Sequence, residues 1–177
     1  MSARDPEAFA ELFRRHSRAV YAYCARRSGD LHLAEDLTSV VFLEAFRRRR
    51  RLQLSNTSAL PWLLGVANNA TSNTQRSLRR YRSALSRVPP PTDRPSAEDD
   101  AMAHTRAQDS LARAIEALKP LSPAERDVVL LVLWSELSYA DAASSLGVPV
   151  GTVRSRLFSA RQKFSAITIK PTLSEEY

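Results

Sequence analysis

A single cysteine among 177 residues excludes an internal disulfide, and three scattered histidines give no cluster with the spacing of a metal site. Cys24 falls on the apolar pattern Phe9, Leu12, Phe13, Val20 and Cys24, so it reads as a small buried residue. Only four glycines are available for tight turns, and no segment alternates apolar and polar residues as a half-buried strand does. The chain is therefore expected to be all-helical. No apolar run reaches the length of a membrane span, and the opening MSARDPEAF lacks the charged-then-apolar layout of a secretory signal. These two absences predict a cytoplasmic protein. No internal repeat is visible.

What the chain does have is positive charge, unevenly placed. The formal net charge is +7, and residues 1–85 carry 15 Lys+Arg against 7 Asp+Glu, while residues 86–110 carry 3 against 5 and residues 111–177 carry 8 against 7. An excess confined to the first half points to a polyanionic partner, and for a soluble protein that is usually nucleic acid. Residues 86–100, SRVPPPTDRPSAEDD, contain four prolines, an acidic end and no apolar periodicity, so they predict an extended linker. Two helical modules result, with expected bounds 1–85 and 106–177 and a linker over 86–105.

In the first module, Asp5 and Pro6 form an N-cap and first-turn pair for a helix running to about Arg27. A second helix is capped by Asp30 and carries two apolar stripes, Leu33, Leu37, Val41 and Ala45 on one line and Phe42 and Phe46 on another. Periodicity alone allows the second stripe to be buried or kept for a partner. A third helix, from about Pro61 to Arg82, packs Trp62, Leu63, Val66 and Ala70 inward. It aligns Asn69, Asn73, Arg76 and Arg80 on another face. Amides that hydrogen-bond bases and guanidiniums that bind phosphates suit nucleic acid, although a plain solvated face has the same pattern. The run Arg47 to Arg51 is equally ambiguous, because positive charge is favourable at a helix C-terminus in any case.

The second module has sharper punctuation. Its first helix is expected from about Asp100 to Leu118, with Leu111, Ile115 and Leu118 inward. Ser122-Pro123-Ala124-Glu125 is a capping box with proline in the first helical position, and Ser138 with Asp141 repeats the device. Residues 138–164, SYADAASSLGVPVGTVRSRLFSARQKF, then read as two helices about a turn at Gly147, which is the layout of a helix-turn-helix. On the second of these helices Val153, Leu157, Ala160 and Phe164 recur at the helical period, leaving Arg154, Ser155, Phe158 and Arg161 on other faces. Pro149 and Gly151 open it, where exposed backbone N–H groups and a missing side chain let a phosphate approach.

These pieces, in this order, resemble the extracytoplasmic-function group of bacterial sigma factors within the sigma-70 family. The resemblance rests on PVGTVRSRLFSAR (149–161), LAEDLTSVVFLEAFR (33–47) and LPWLLGVANNATSN (60–73), and extends from about Phe9 to Phe164. It implies a non-enzymatic role: binding core RNA polymerase and directing it to promoters, with catalysis left to the polymerase and no cofactor or metal required. The resemblance places polymerase contact on Glu35, Asp36, Thr38, Val41 and Phe42. Reading of a minus-ten element falls to Asn69, Asn73, Arg76 and Arg80, with capture of a flipped base by the loop 53–58 that contains Asn56. Reading of a minus-thirty-five element falls to Pro149, Gly151, Thr152, Arg154, Ser155, Phe158 and Arg161. Many relatives have Gln at the position of Thr38, and some have Arg at that of Ser159. The resemblance also implies the polymerase clamp helices and flap as contacts, admits an anti-sigma factor as a partner, and lets the acidic linker residues Asp93, Glu98, Asp99 and Asp100 imitate nascent RNA. Two other readings stay open: a dimeric helix-turn-helix regulator, which leaves the first module without a role, and a nucleic-acid enzyme, for which no carboxylate cluster, His/Cys constellation or phosphate loop is present.

Overall fold

The computed structural model describes residues 6–48, 58–85 and 101–168. Asp5, Arg49 to Arg51, the loop with Asn56 and the acidic linker residues lie outside them. Among the described residues every regular element is helical: α1 (Pro6–Ser28), α2 (Leu31–Arg48), α3 (Leu60–Leu85), α4 (Ala101–Leu118), α5 (Pro123–Val129), a π-helical turn (Leu130–Trp134), α6 (Tyr139–Leu146) and α7 (Val150–Thr168). Helix α4 begins inside the segment expected to be linker.

Helices α1, α2 and α3 pack as a three-helix bundle. Asp30 caps α2 by accepting the Leu33 N–H at 3.0 Å, which satisfies one of the donors a helix start leaves open. Val20, Tyr23 and Cys24 of α1, Leu37, Val41 and Ala45 of α2, and Leu63, Leu64 and Ala67 of α3 fill the interior. Cys24 is fully buried, and burial pushes its thiol up to about 11, so it is chemically quiet. The second aromatic stripe of α2 also faces inward at Phe42. Its ring meets Phe13 edge to face at 4.7 Å and Phe9 at 6.4 Å, while Phe46 at the rim stays 40% exposed.

The second module packs α5, the π-turn, α6 and α7 around Val128 to Leu131, Val153, Leu157 and Ala160. Both caps form as the sequence predicts. Ser122 Oγ accepts the Glu125 N–H at 3.3 Å while the Glu125 carboxylate accepts the Ser122 N–H at 2.7 Å. Ser138 Oγ accepts the Asp141 N–H at 3.0 Å. The apolar helix expected to run on through Leu137 widens instead into the π-turn at Leu130, where Ser135 N–H and Oγ both donate to the Leu130 carbonyl. The turn buries Leu130 and Leu131, leaves Leu133 and Trp134 partly exposed, and ends at Glu136 in the left-handed region at φ 54°. Gly147 supplies the left-handed C-cap of α6 at φ 63°, which turns the chain into α7.

The two modules are not separate bodies. Helix α3 packs against α6, α1 contacts α4 and the π-turn, and one contiguous apolar core runs through both.

Candidate nucleic-acid interface

Helix α7 is divided cleanly between an inner and an outer side. Val153, Leu157 and Ala160 are at most 2% exposed, whereas Arg154, Ser155, Phe158 and Arg161 face solvent. Phe158 stands 66% exposed, which leaves most of its ring open to apolar contact. Thr152 is half-buried, and Pro149 and Gly151 are exposed at the helix start, where nothing lies within 4 Å of a Cβ built on Gly151. An arginine can hold a guanine edge bidentately and a phenyl ring can touch a thymine methyl, so this side has the chemistry of major-groove readout.

What holds α7 at its angle is a buried carboxylate. Glu125 accepts from Ser159 Oγ at 2.5 Å, from Lys163 Nζ at 2.6 Å and from the Ser122 N–H at 2.7 Å. Lys163 first, then Ser159 and the Ser122 backbone, hold its carboxyl down at about 2. Ser159 therefore braces the helix against α5 and does not face outward with Phe158. The capping box marked Glu125 as a helix start, but its reach across to α7 joins residues 34 and 38 positions apart. No local pattern announces that.

On α3 the expected polar face is present and continuous. Asn69, Asn73, Arg76 and Arg80 are all exposed, and an open groove is lined by Asn73, Arg76, Ser77, Arg79 and Arg80. Arg76 Nη2 donates to the Asn73 amide oxygen at 2.7 Å and Arg80 Nη2 to Ser77 Oγ at 3.3 Å. Asn73 thus accepts at its oxygen and keeps an NH2 group as a donor. The neighbouring Asn68 is turned inward instead, where its oxygen accepts from the buried Tyr23 hydroxyl at 3.0 Å. Trp62 packs half-buried against the core. Asn56 lies outside the described residues.

The expected polymerase-contact set on α2 divides in two. Glu35 and Asp36 are exposed, and Thr38 is half-buried with its hydroxyl donated to the Ala34 carbonyl. Val41 and Phe42, at 0% and 4% exposure, are core residues that seat α2 rather than part of its exposed surface. The apolar residues beside Glu35 and Asp36 that do reach solvent are Val40 and Leu43, 50% and 49% exposed. Periodicity missed them because α2 is apolar around most of its circumference. Among the described residues no helix is long and apolar enough to cross a membrane, and no group of His, Cys, Asp or Glu is arranged to hold a metal.

Residues 12–81 match the family model for Sigma-70 region 2, and residues 111–164 match that for Sigma-70, region 4. The chain is 35% identical over 154 residues to the ECF RNA polymerase sigma factor SigE of Mycolicibacterium smegmatis, covering 86% of this chain and 58% of that protein. It is 31% identical over 157 residues to the RNA polymerase sigma factor CarQ of Myxococcus xanthus, covering 89% of this chain and 87% of CarQ. Among solved structures, it shares its fold with the sigma factor RpoE in complex with the anti-sigma factor NepR from Bartonella quintana, at a TM-score of 0.72 and 22% identity, over 93% of this chain and 99% of that one. It also shares its fold with CnrH in complex with the cytosolic domain of CnrY, at a TM-score of 0.70 and 22% identity, over 94% and 92%. Both regions are present in order, with relatives of this identity and extent, and the chain therefore belongs to the extracytoplasmic-function group of sigma-70 RNA polymerase sigma factors.

Proposed function

We propose that this sigma factor binds core RNA polymerase through the exposed part of α2 and directs it to promoters by reading two separate elements. In this reading residues 1–85 serve as domain two and residues 106–177 as domain four, joined by the linker, and the polymerase carries out all chemistry. Arg154, Ser155 and Phe158, with Thr152 and Arg161 beside them, read a minus-thirty-five element as duplex. Asn69, Asn73, Arg76 and Arg80 read a minus-ten element as it melts, where stacked positive charge along the strand matters more than groove shape. Glu35, Asp36, Val40 and Leu43 form the polymerase-facing surface. An anti-sigma factor, of the kind named with RpoE, is a proposed partner of this chain as well.

The observation that carries the reading is the outer side of α7: an exposed phenyl ring between two exposed arginines, on a helix whose opposite side is sealed into the core. The test is transcription with purified chain and core polymerase on promoter templates, with start sites mapped. Arg154→Ala with Phe158→Ala should abolish starts that depend on the upstream element and leave polymerase binding intact. Loss of polymerase binding by that variant, or no specific start from the wild-type chain, contradicts the reading.

A further inference from the structure

Helix α3 is cationic with nothing to offset it. The sequence carries no Asp or Glu between Glu44 and Asp93, and residues 76–84, RSLRRYRSA, set four arginines on the part of α3 that stands beyond the bundle. An aromatic ring lies in their midst. Tyr81 is 62% exposed and, with Phe158 at 66%, is one of the two most exposed aromatic side chains among the described residues. Leu78, one turn back on the same side, is 39% exposed.

Helical period explains both how these residues come to be there and why the sequence conceals them. Leu78 and Tyr81 continue the line of Leu63, Ala67 and Thr71, each fully buried on the inner side of α3. On that line an aromatic residue reads as core. The helix outruns its bundle, however, and from Arg76 onward the same line meets solvent. Trp62, the other aromatic residue of α3, packs half-buried against the core at the opposite end. Tyr81 is therefore the ring that α3 offers outward.

Charge decides what can cover it. Arg80 and Arg82 flank Tyr81 about 100° to either side around the helix, and Arg76 and Arg79 precede them. A second copy of this chain would bring its own arginines against these, and α3 has no acidic residue to receive them. A polyanion with flat apolar faces meets both requirements, since nucleic-acid bases stack on aromatic rings whatever their sequence while phosphates take up guanidiniums. In a duplex those faces are closed by neighbouring base pairs, so an unpaired strand is the form that can present one.

We propose that Tyr81 is a stacking platform for an unpaired base of single-stranded DNA, with Leu78 extending its apolar edge and Arg80 and Arg82 holding phosphates on either side. The proposal deepens the two-element reading and rests on it, since the strand in question is the one melted at the minus-ten element. Asn69 and Asn73 carry groups that can tell one base from another, whereas a ring face accepts any base. Tyr81 thus adds affinity for the open strand without adding sequence preference.

The test measures holoenzyme affinity for two fluorescent promoter probes that lack one strand across the minus-ten region, one with the promoter sequence there and one with that stretch scrambled. Tyr81→Ala should bind both probes about tenfold more weakly than wild type, with the dependence of affinity on salt unchanged, because no charge is lost. Tyr81→Phe, which keeps the ring, should bind as wild type does. Arg80→Ala should instead lower the salt slope by about one. Helicity and assembly with core polymerase should be unchanged in Tyr81→Ala, since the ring is exposed and alanine favours a helix. Wild-type affinity in Tyr81→Ala, equal losses in Tyr81→Ala and Tyr81→Phe, or a salt slope that falls with the ring would each overturn the stacking platform. Failure of Tyr81→Ala to assemble with polymerase would overturn it in favour of a protein contact, and a wild-type dimer that Tyr81→Ala dissolves would overturn it in favour of a second copy. A tenfold loss on both probes, with wild-type holoenzyme binding promoter and scrambled sequence equally, supports the platform and overturns the two-element reading instead.

Discussion

In the first module the outward polar face is the far end of a long helix, whereas in the second it is one side of a helix fixed by its neighbours. Residues 76–84 of α3 are all exposed and stand beyond the bundle. Helix α7 is sealed along Val153, Leu157 and Ala160 and braced by Glu125 through Ser159 and Lys163. The difference matches two kinds of target. A duplex groove rewards a helix held at one angle, because base-edge hydrogen bonds tolerate little displacement. A melted strand is pliant, and a projecting row of guanidiniums can follow it.

Substitutions can break this contrast at several strengths. The largest effect is expected inside the first module: Phe42→Ala should cost about 3–5 kcal/mol of stability in chemical unfolding, because it empties a buried aromatic site against Phe9 and Phe13. Val40→Ala, on the exposed side of the same helix, should stay within about 0.5 kcal/mol of wild type. Next, Arg154→Ala should weaken discrimination at the upstream element by about 1–3 kcal/mol, seen as relaxed preference at one base position in holoenzyme binding.

Glu125→Gln should lower stability by about 1–3 kcal/mol, with the Lys163 share reduced by solvent, since that amine is 40% exposed. The carboxyl of Glu125 is depressed to about 2 in the folded chain. Its contribution is therefore fully present above the unfolded value near ~4.3 and is lost as pH falls toward 2. A wild-type unfolding series across that window should show a decline that the Gln variant lacks. The smallest effect belongs to the projecting end of α3. Arg80→Ala should weaken holoenzyme binding to all promoters alike and lower the salt slope by about one.

Much of this was legible in the sequence, for physical reasons. Caps at Asp30, Ser122 and Ser138 are local hydrogen-bonding devices, so the residues that make them sit within three positions of what they satisfy. The faces of α3 and α7 follow from helical period. Helix α2 was harder, because apolar residues surround most of it and only packing against α1 decides that Phe42 goes inward while Val40 and Leu43 stay out. Contact between the two modules was hidden for a different reason: Arg27 of α1 and Asp127 of α5 pair at 2.6 Å but lie 100 positions apart, and nothing nearby in sequence marks either as buried. Gly65 of α3, where a Cβ would stand 2.8 Å from the Ser145 carbonyl oxygen of α6, is visible in sequence only as an isolated glycine in a helical pattern.

The most direct measurement is a DNA footprint of the holoenzyme, made once with the wild-type chain and once with the Arg154→Ala, Phe158→Ala chain. With wild type, two separate protected segments are expected if each module reads its own element. The double variant should lose the upstream segment and keep the downstream one. A single protected segment with wild type, or loss of both segments together in a variant that still binds polymerase, would contradict the division of reading between α3 and α7.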